Sequence, residues 1–345
     1  MTVLTVPAQP ARSANAAARP VPWRRMAWVT WRQQRATLIS VPAVLAAAAV
    51  VLVIFGLKVH HDYAALVNCP LDPGRQSSAC AGLFAHFNSS DWPLANALSI
   101  LMQFAPVLLG AFAGAPLLAR ELETGTFRYA WTQGLRRERQ AIAKLALLGV
   151  VLAVLAWAFG ELFSWFFQPF LYVEQLNQMA TESVFDTRGL AFPAFTLVAF
   201  AIGAFLGMLF RRIIPAMAAT LGVYLVIRLA AWGVRGQYPL TLVTSNTQQF
   251  TAYGTPSQPG FPWVLSTWVT GPGGKPASQA VLNQIQDALG GANQVVSVPK
   301  GYTIWTRFFP PDNFWPMQLI EAGWLVILAV AFGAAAVWLV RRRAA

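Results

Sequence analysis

The side chains best suited to metal or redox chemistry lie close together in the first third of the chain. Cys69 and Cys80 are the only two cysteines, and the three histidines are His60, His61 and His86. Thiolates and imidazoles are ligands that zinc prefers, but the spacing here matches no zinc motif. An even number of cysteines in an oxidising compartment more often forms a disulfide. We therefore predict a Cys69–Cys80 disulfide and no metal site, with zinc as the alternative.

Three ionisable residues interrupt long apolar stretches of the sequence. Glu161, Arg228 and Glu321 each stand among residues that otherwise suit the interior of a bilayer. Such groups are costly in lipid, so they usually pair with one another or face a cavity. At 1.5 Å per helical residue, Glu161 and Arg228 lie at matching depth, about 24 Å from the inner boundary. We expect Arg228 to pair with Glu161 or Glu321, either as a packing clamp or on a substrate path.

The sequence lacks the motifs of a self-sufficient enzyme. It has no H-E-x-x-H zinc motif, no serine-nucleophile motif and no phosphate-binding G-x-x-x-x-G-K-[ST] loop. We therefore predict no catalytic residue and no cofactor in this chain. A membrane-embedded enzyme that uses Glu161 and the histidines is the least favoured alternative.

The composition explains where these residues must sit. Of the 345 residues, 56% are hydrophobic and only 11% are charged, with a mean hydropathy of +0.50. A soluble protein carries about 25% charged residues, so this chain cannot cover a water-facing surface. The net charge of +12 would suggest nucleic acid in a soluble protein. In an apolar chain it indicates charge sorted to one side of a membrane, so no nucleic-acid partner is expected.

Six apolar runs are each long enough to cross a bilayer as a helix, which takes about 20 residues. They are 38–57, 94–118, 145–167, 190–210, 213–232 and 320–340. None alternates with the period of a membrane β-strand, so the sequence predicts an all-α polytopic membrane protein. Gly110 and Gly114, and Gly203 and Gly207, have the spacing that lets helices pack closely.

The basic residues orient these spans. With both termini in the cytoplasm, the inner segments carry seventeen Lys and Arg against three acidic residues, and the outer segments seven against eight. This is the positive-inside pattern. The outer loops are then 58–93, 168–189 and 233–319. The third is large enough for a small subdomain and contains a predicted helix at Ala277–Leu289, ended by Gly290 and Gly291.

The entry to the first span is amphipathic. After an Ala- and Pro-rich tail at 1–21, which we expect to be mobile, residues 22–37 combine tryptophan and arginine at helical spacing. This pattern is typical of a helix that lies in the inner interface and contacts lipid headgroups. A basic flank that only fixes topology is the alternative. The residues that carry the prediction are Trp23, Trp28, Trp31, Arg32 and Arg35. The domain prediction is therefore a tail, this helix, and a six-helix membrane domain at 38–345.

The cytoplasmic segment between the second and third spans presents aromatic residues beside charges. It runs from Arg120 to Lys144 and includes Phe127, Tyr129 and Trp131. Exposed aromatics beside charge usually mark a protein contact. Packing against the inner face of the membrane would explain them equally well.

Three segments resemble a known family. Glu121–Thr126 (ELETGT) is similar to the acidic-Gly-Thr segment of type-2 ATP-binding-cassette (ABC) permeases, which have six spans and pair with a cytoplasmic ATPase. Trp28–Arg35 (WVTWRQQR) and Asn313–Gly323 (NFWPMQLIEAG) resemble the actinobacterial branch of that family. The resemblance extends over the whole topology.

The resemblance implies a division of labour. This chain would be the permease of an exporter in the bacterial plasma membrane, assembled with two ATPases and a second, identical or homologous permease. ATP and Mg²⁺ would bind to the ATPases, and the substrate would be apolar or amphipathic. The 120–140 loop would dock on the ATPase through Glu121, Glu123, Gly125, Thr126, Phe127, Arg128 and Trp131. The alternative is a membrane sensor or scaffold whose ligand binds to the 233–319 loop.

Overall fold

Six long helices form the body of the molecule in a computed structural model that describes residues 23–69, 77–123, 137–173, 182–247, 249–251, 263–289, 295–297 and 299–343. The long helices are α1 (Trp23–Leu66), α3 (Trp92–Glu123), α4 (Arg137–Val173), α6 (Ala191–Phe210), α7 (Ile213–Arg235) and α9 (Phe314–Arg343). Each contains one predicted span and is long and apolar enough to cross a membrane. The all-α polytopic prediction is confirmed. The predicted tail at 1–21 lies outside the described residues.

The predicted interfacial helix and the first span form one element. α1 runs for 44 residues with Pro42 inside it, because residues 36–38 contain no helix breaker that would separate the two parts. The prediction of a separate helix at 22–37 therefore differs from the structure. Trp28 and Trp31 are exposed, and the Arg32 guanidinium lies 5.6 Å from the centroid of the Trp28 ring. Contact of this segment with lipid remains a prediction.

The long helices alternate in direction. Leu38, Leu118, Ala141, Met208 and Val340 are buried together in one cluster, although they come from five different helices. They lie at the start of α1 and α4 and at the end of α3, α6 and α9. The first residues of α1 and the last residues of α9 therefore lie at the same end of the bundle. We call it the inner end, following the charge-based prediction.

α6 is the centre of the bundle. It packs most extensively against α3 and α9, and 78% of its spanning stretch is buried. A Cβ on Gly203 would stand 2.7 Å from the Gly110 carbonyl oxygen, and one on Gly207 would stand 2.5 Å from the Ala115 carbonyl oxygen. The prediction that these glycines allow close helix packing is confirmed.

A two-residue turn joins α6 to α7 at the inner end. Arg211 ends α6 in the left-handed conformation, with φ of 58°, and its N–H donates to the Gly207 carbonyl at 3.0 Å. Arg212 then turns the chain into α7. The turn places α6 and α7 side by side.

The cysteines are joined as predicted. The Cys69–Cys80 disulfide ties the segment after α1 to the first turn of α2 (Ser78–Ser90). The cysteines are therefore not available as thiolate ligands, and no cluster in the described part of the chain has the three donors that a metal would need. Nearby, Lys58 pairs with Asp62 at 3.0 Å and with the buried Asp91.

A histidine joins α1 to α4 at a proline. Pro169 has no N–H, so it cannot bond to the Trp165 carbonyl four residues earlier. His60 fills that gap: its Nε2 lies 3.0 Å from this carbonyl, and its ring stacks on Trp165 at 4.7 Å. Because a carbonyl oxygen only accepts, Nε2 carries the hydrogen. His60 is thus a structural residue.

The third outer loop folds into a small subdomain. Strands β1 (Val243–Thr247), β3 (Trp263–Thr270) and β5 (Thr303–Phe309) form an antiparallel sheet in the order β1-β5-β3. A second pair joins β2 (Gln249–Thr251) to β4 (Val295–Ser297). The predicted helix is present as α8 (Gln279–Leu289), whose Val281 packs against Ile304 of β5.

Candidate functional site

A buried ion network holds the outer end of the bundle together. Arg235, on the last turn of α7, is 1% exposed. It pairs with Asp186 on the short helix α5 (Glu182–Thr187) and, at 2.7 Å, with Glu321 on α9. Both carboxylates are almost fully buried. A buried charge is tolerated only when it is paired and hydrogen-bonded, and Arg235 donates to both carboxylates.

Tyr238 closes the network on the outer side. Its hydroxyl donates to Glu321, and the Trp324 indole donates to the same hydroxyl at 3.1 Å. Burial, reinforced by the hydrogen bond to Glu321, raises the pKa of the Tyr238 phenol above its ordinary value. The phenol therefore stays a neutral donor to the carboxylate.

Gln318 positions the segment that joins α5, which carries Asp186, to α6. It is fully buried on α9, one turn before Glu321. Its Nε2 donates to the Phe185 carbonyl at 2.9 Å, and its Oε1 accepts from the Ala191 N–H at 2.8 Å. Gly189 lies in this loop with φ of +59°, and a Cβ there would come within 3.1 Å of the same Oε1.

Arg228 has a different partner from the one that the sequence predicts. Its Nη1 pairs with Asp186, and its Nη2 donates to Gln103 Oε1 of α3 at 3.1 Å. The predicted pairing with Glu161 or Glu321 is therefore wrong. The sequence predicts an outer loop at Asp186, but α5 carries this residue back into the bundle. Glu321 pairs with Arg235 instead.

Glu161 lies on the outward face of α4. It continues a stripe of exposed residues at helical spacing, Val150, Val154 and Trp157. Arg188 lies nearby: its Nε donates to Ser164 Oγ at 3.1 Å, one turn above Glu161. Burial lowers the pKa of the Arg188 guanidinium, and the nearby Glu161 carboxylate opposes that shift. Glu161 is thus not part of the network around Arg235.

A cavity of about 400 Å³ opens between α3 and α7 beside this network. The charged and amide side chains that line it are those of Gln103, Arg228 and Arg235. The remaining wall is apolar or aromatic: Phe104, Val107, Leu221, Tyr224, Leu225, Leu229 and Trp232. Most of the apolar side chains are exposed on the bundle, so one side of the cavity is open.

The predicted ATPase-docking residues are only partly described. Glu121 and Glu123 lie in the last turn of α3. Glu123 Oε2 accepts from the N–H of Ile213, the first residue of α7, at 3.2 Å. The remaining predicted residues lie outside the described part of the chain: Gly125, Thr126, Phe127, Arg128 and Trp131.

Several network residues were not singled out from the sequence. The sequence predicts an outer loop at Arg235, but α7 extends to this residue. Arg235 follows Arg228 by two helical turns and so shares its face of the helix. That spacing was a usable signal. Asp186, Gln103 and Tyr238 had none, because their roles depend on contacts with other helices. In Asn313–Gly323, by contrast, three polar residues all make contacts across the fold: Asn313, Gln318 and Glu321.

Comparison with known proteins agrees with this architecture. The sequence model of the family described as "ABC-2 membrane transporter related" matches residues 42–235, which is more than half of the chain. The match runs from α1 through Arg235 and covers five of the six spans. No curated protein and no solved structure shows a significant match. The chain is a multi-pass membrane protein that belongs to the ABC-2 membrane transporter related family.

Proposed function

We propose that the chain is the permease subunit of an ABC exporter in the bacterial plasma membrane. A separate cytoplasmic ATPase binds ATP and Mg²⁺ and drives the movement of an apolar or amphipathic substrate. Two permeases and two ATPases form the working unit. Membership of the family supports the permease role and association with an ATPase in general terms.

The observation that carries the proposal is the reach of one helix. α3 borders the cavity with Gln103, Phe104 and Val107, and its last turn carries Glu121 and Glu123. The segment that follows is the predicted ATPase contact. A movement there reaches the cavity along one continuous helix, which contains Pro106 and Pro116.

The exposed side of the cavity supports a second permease as the partner. Leu221, Leu225, Leu229 and Trp232 form a stripe on α7 that is about half exposed. They recur every three or four residues and so lie on one helix face. We infer that a second subunit lies opposite this face, and that the substrate path runs between the two copies.

Assembly and ATPase activity test the proposal. The chain, expressed with its candidate ATPase, should co-purify with it and stimulate ATP hydrolysis. Alanine at Glu121, Glu123, Arg128 and Trp131 together should abolish both effects. The matched control is Arg342→Ala at the same end of the bundle, where the guanidinium stacks on Trp338 of its own helix. Unchanged assembly and activity in the fourfold variant would remove the docking assignment.

A receptor role remains the competing proposal, and one feature favours it. Trp268 and Trp305 stand side by side on neighbouring strands of the outer sheet, with ring centroids 6.4 Å apart and nearly parallel. Trp268 is 41% exposed. Exposed aromatic pairs suit ligand binding. A chain that binds a ligand at this face and never recruits an ATPase would favour the receptor.

A further inference from the structure

The cavity between α3 and α7 is mostly apolar, and Arg228 lies in the middle of its α7 wall, between Leu221 and Trp232. Its volume, about 400 Å³, suits a ligand of drug size and is too small for a whole two-chain phospholipid. The wall formed by Leu221, Leu225, Leu229 and Phe104 offers only apolar contact. A ligand that fills it must have a long apolar part.

The polar side chains of the cavity offer hydrogen-bond donors. Arg228 carries a fixed positive charge. Gln103 uses its oxygen to accept from Arg228, which leaves its Nε2 amide as a donor. Tyr224 also lines the cavity, and its hydroxyl forms no hydrogen bond within the described part of the chain. Three donors thus lie close together, because Tyr224 and Arg228 are one turn apart on α7 and Gln103 bonds to Arg228.

None of the described residues that line the cavity is acidic. Asp186, the partner of Arg228, is 3% exposed and lies behind it, whereas Arg228 is 15% exposed. Phe195 supports the guanidinium from another side, 4.9 Å from its ring centroid. Asp186 and Phe195 therefore orient Arg228 without closing it off.

Arg235 makes a useful contrast on the same helix. It is 1% exposed and held by two carboxylates, so it has no capacity for a further anion. Arg228 shares Asp186 with Arg235, which also binds Glu321, and among the described residues its other hydrogen bond goes to the neutral amide of Gln103. A charged donor in an apolar cavity attracts an anion more strongly than it would in water, because the surrounding dielectric is low.

We propose that the cavity binds a single-chain amphiphile by its anionic head, with the head on Arg228, Gln103 and Tyr224 and the tail along Leu225 and Leu221 of α7. This inference rests on the proposed permease function and names the class of molecule that it transports. The occupant is the transported molecule, and not a membrane phospholipid or the side chains of a second subunit.

Binding of matched probes to the full-length chain tests the proposal. The chain is placed in phosphatidylcholine nanodiscs, and saturable binding of dodecyl phosphate is compared with that of dodecyltrimethylammonium. We expect dodecyl phosphate to bind at least about tenfold more tightly, the effect of one hydrogen bond to a charged group. Arg228→Gln should remove that preference, and Arg228→Lys should keep part of it. Arg188→Gln is the matched control, because Arg188 is a part-buried arginine that does not line the cavity.

Other results would overturn the proposal. Equal binding of the two probes, or an unchanged preference in Arg228→Gln, would show that the head does not meet Arg228. Leu225→Trp should block both probes; if it does not, the ligand lies elsewhere. Displacement of dodecyl phosphate by phosphatidylglycerol in the nanodisc would identify a lipid site instead. Loss of probe binding on dimer formation would assign the cavity to the second subunit.

The assay also separates this inference from the proposed function. It uses the chain without an ATPase, so its failure leaves ATPase recruitment untouched. Conversely, a chain that binds dodecyl phosphate through Arg228 but recruits no ATPase would contradict the permease proposal and keep the site.

Discussion

α6 and α7 are consecutive helices of similar length and similar apolar composition, yet they have opposite surroundings. Within the spanning stretch, 78% of α6 is buried inside the protein, against 17% of α7. Lipid accommodates an apolar side chain as well as protein does, so hydropathy does not distinguish the two environments. The difference shows that α6 is the fixed centre of the subunit, whereas α7 combines a locked outer end with an open face.

The starts of the two helices show the same contrast. Neither N-cap residue, Leu190 or Arg212, makes a side-chain cap. In both helices a side chain from another helix takes the first N–H. For α6 it is the buried Gln318 of α9, and for α7 it is the exposed Glu123 of α3. One helix is therefore anchored in the core and the other at a water-facing contact.

The largest loss of stability is expected on substitution of Arg235, the residue at which α7 is as deeply buried as α6. Arg235→Met leaves Asp186 and Glu321 buried with only Arg228 to compensate them. Such a loss destabilises a protein by about 3–5 kcal/mol. We expect a large fall in melting temperature in detergent. Arg228→Met should have a smaller effect, because that side chain is part-exposed.

A second substitution checks the cause. Adding Glu321→Leu to Arg235→Met removes one of the abandoned carboxylates and should recover part of the stability. A double variant less stable than the single one would mean that Glu321 has another role.

Gln318 should have the next largest effect, on the start of α6. Gln318→Leu removes the acceptor of the buried Ala191 N–H and one donor to the Phe185 carbonyl. We expect a loss of about 1–3 kcal/mol for the buried Ala191 N–H, measured by chemical unfolding. Gln168→Leu is the control, because Gln168 is exposed on α4. Equal effects of the two substitutions would contradict the anchoring role.

Glycines of the two helices should differ in the same way. A Cβ on Gly203 of α6 meets the backbone of α3, whereas one on Gly222 of α7 meets nothing within 4 Å. Gly203→Val should therefore cost about 1–3 kcal/mol by overpacking. Gly222→Val should change stability by less than about 0.5 kcal/mol. Thermal unfolding of both variants in the same detergent measures the difference, and a similar loss for both would place a partner on Gly222.

The sequence predicts the helices and their local features better than it predicts which side chains meet between helices. The six spans, the disulfide and the close glycine packing follow from local patterns, because span length and residue spacing depend on the chain itself. The partner of Arg228 does not, because Asp186 reaches it only when a six-residue helix folds back from an outer loop. The sequence also does not indicate which helix is central, because the lipid-facing and protein-facing residues of α6 and α7 are similarly apolar. Gly203 and Gly207 were the one local hint.

The smallest effect is expected at Glu123, and it defines how α7 is held. Its bond to the Ile213 N–H is exposed, so water replaces it when the carboxylate is lost. Glu123→Ala should reduce stability by less than about 1 kcal/mol, while hydrogen exchange at the first amides of α7 rises. Glu123→Gln keeps an acceptor and should restore protection. If Glu123→Ala destabilised the protein as much as Gln318→Leu, both helices would be equally fixed. A small effect would mean that α7 is locked at Arg235 and free to tilt at its inner end, next to the segment where the ATPase is proposed to act.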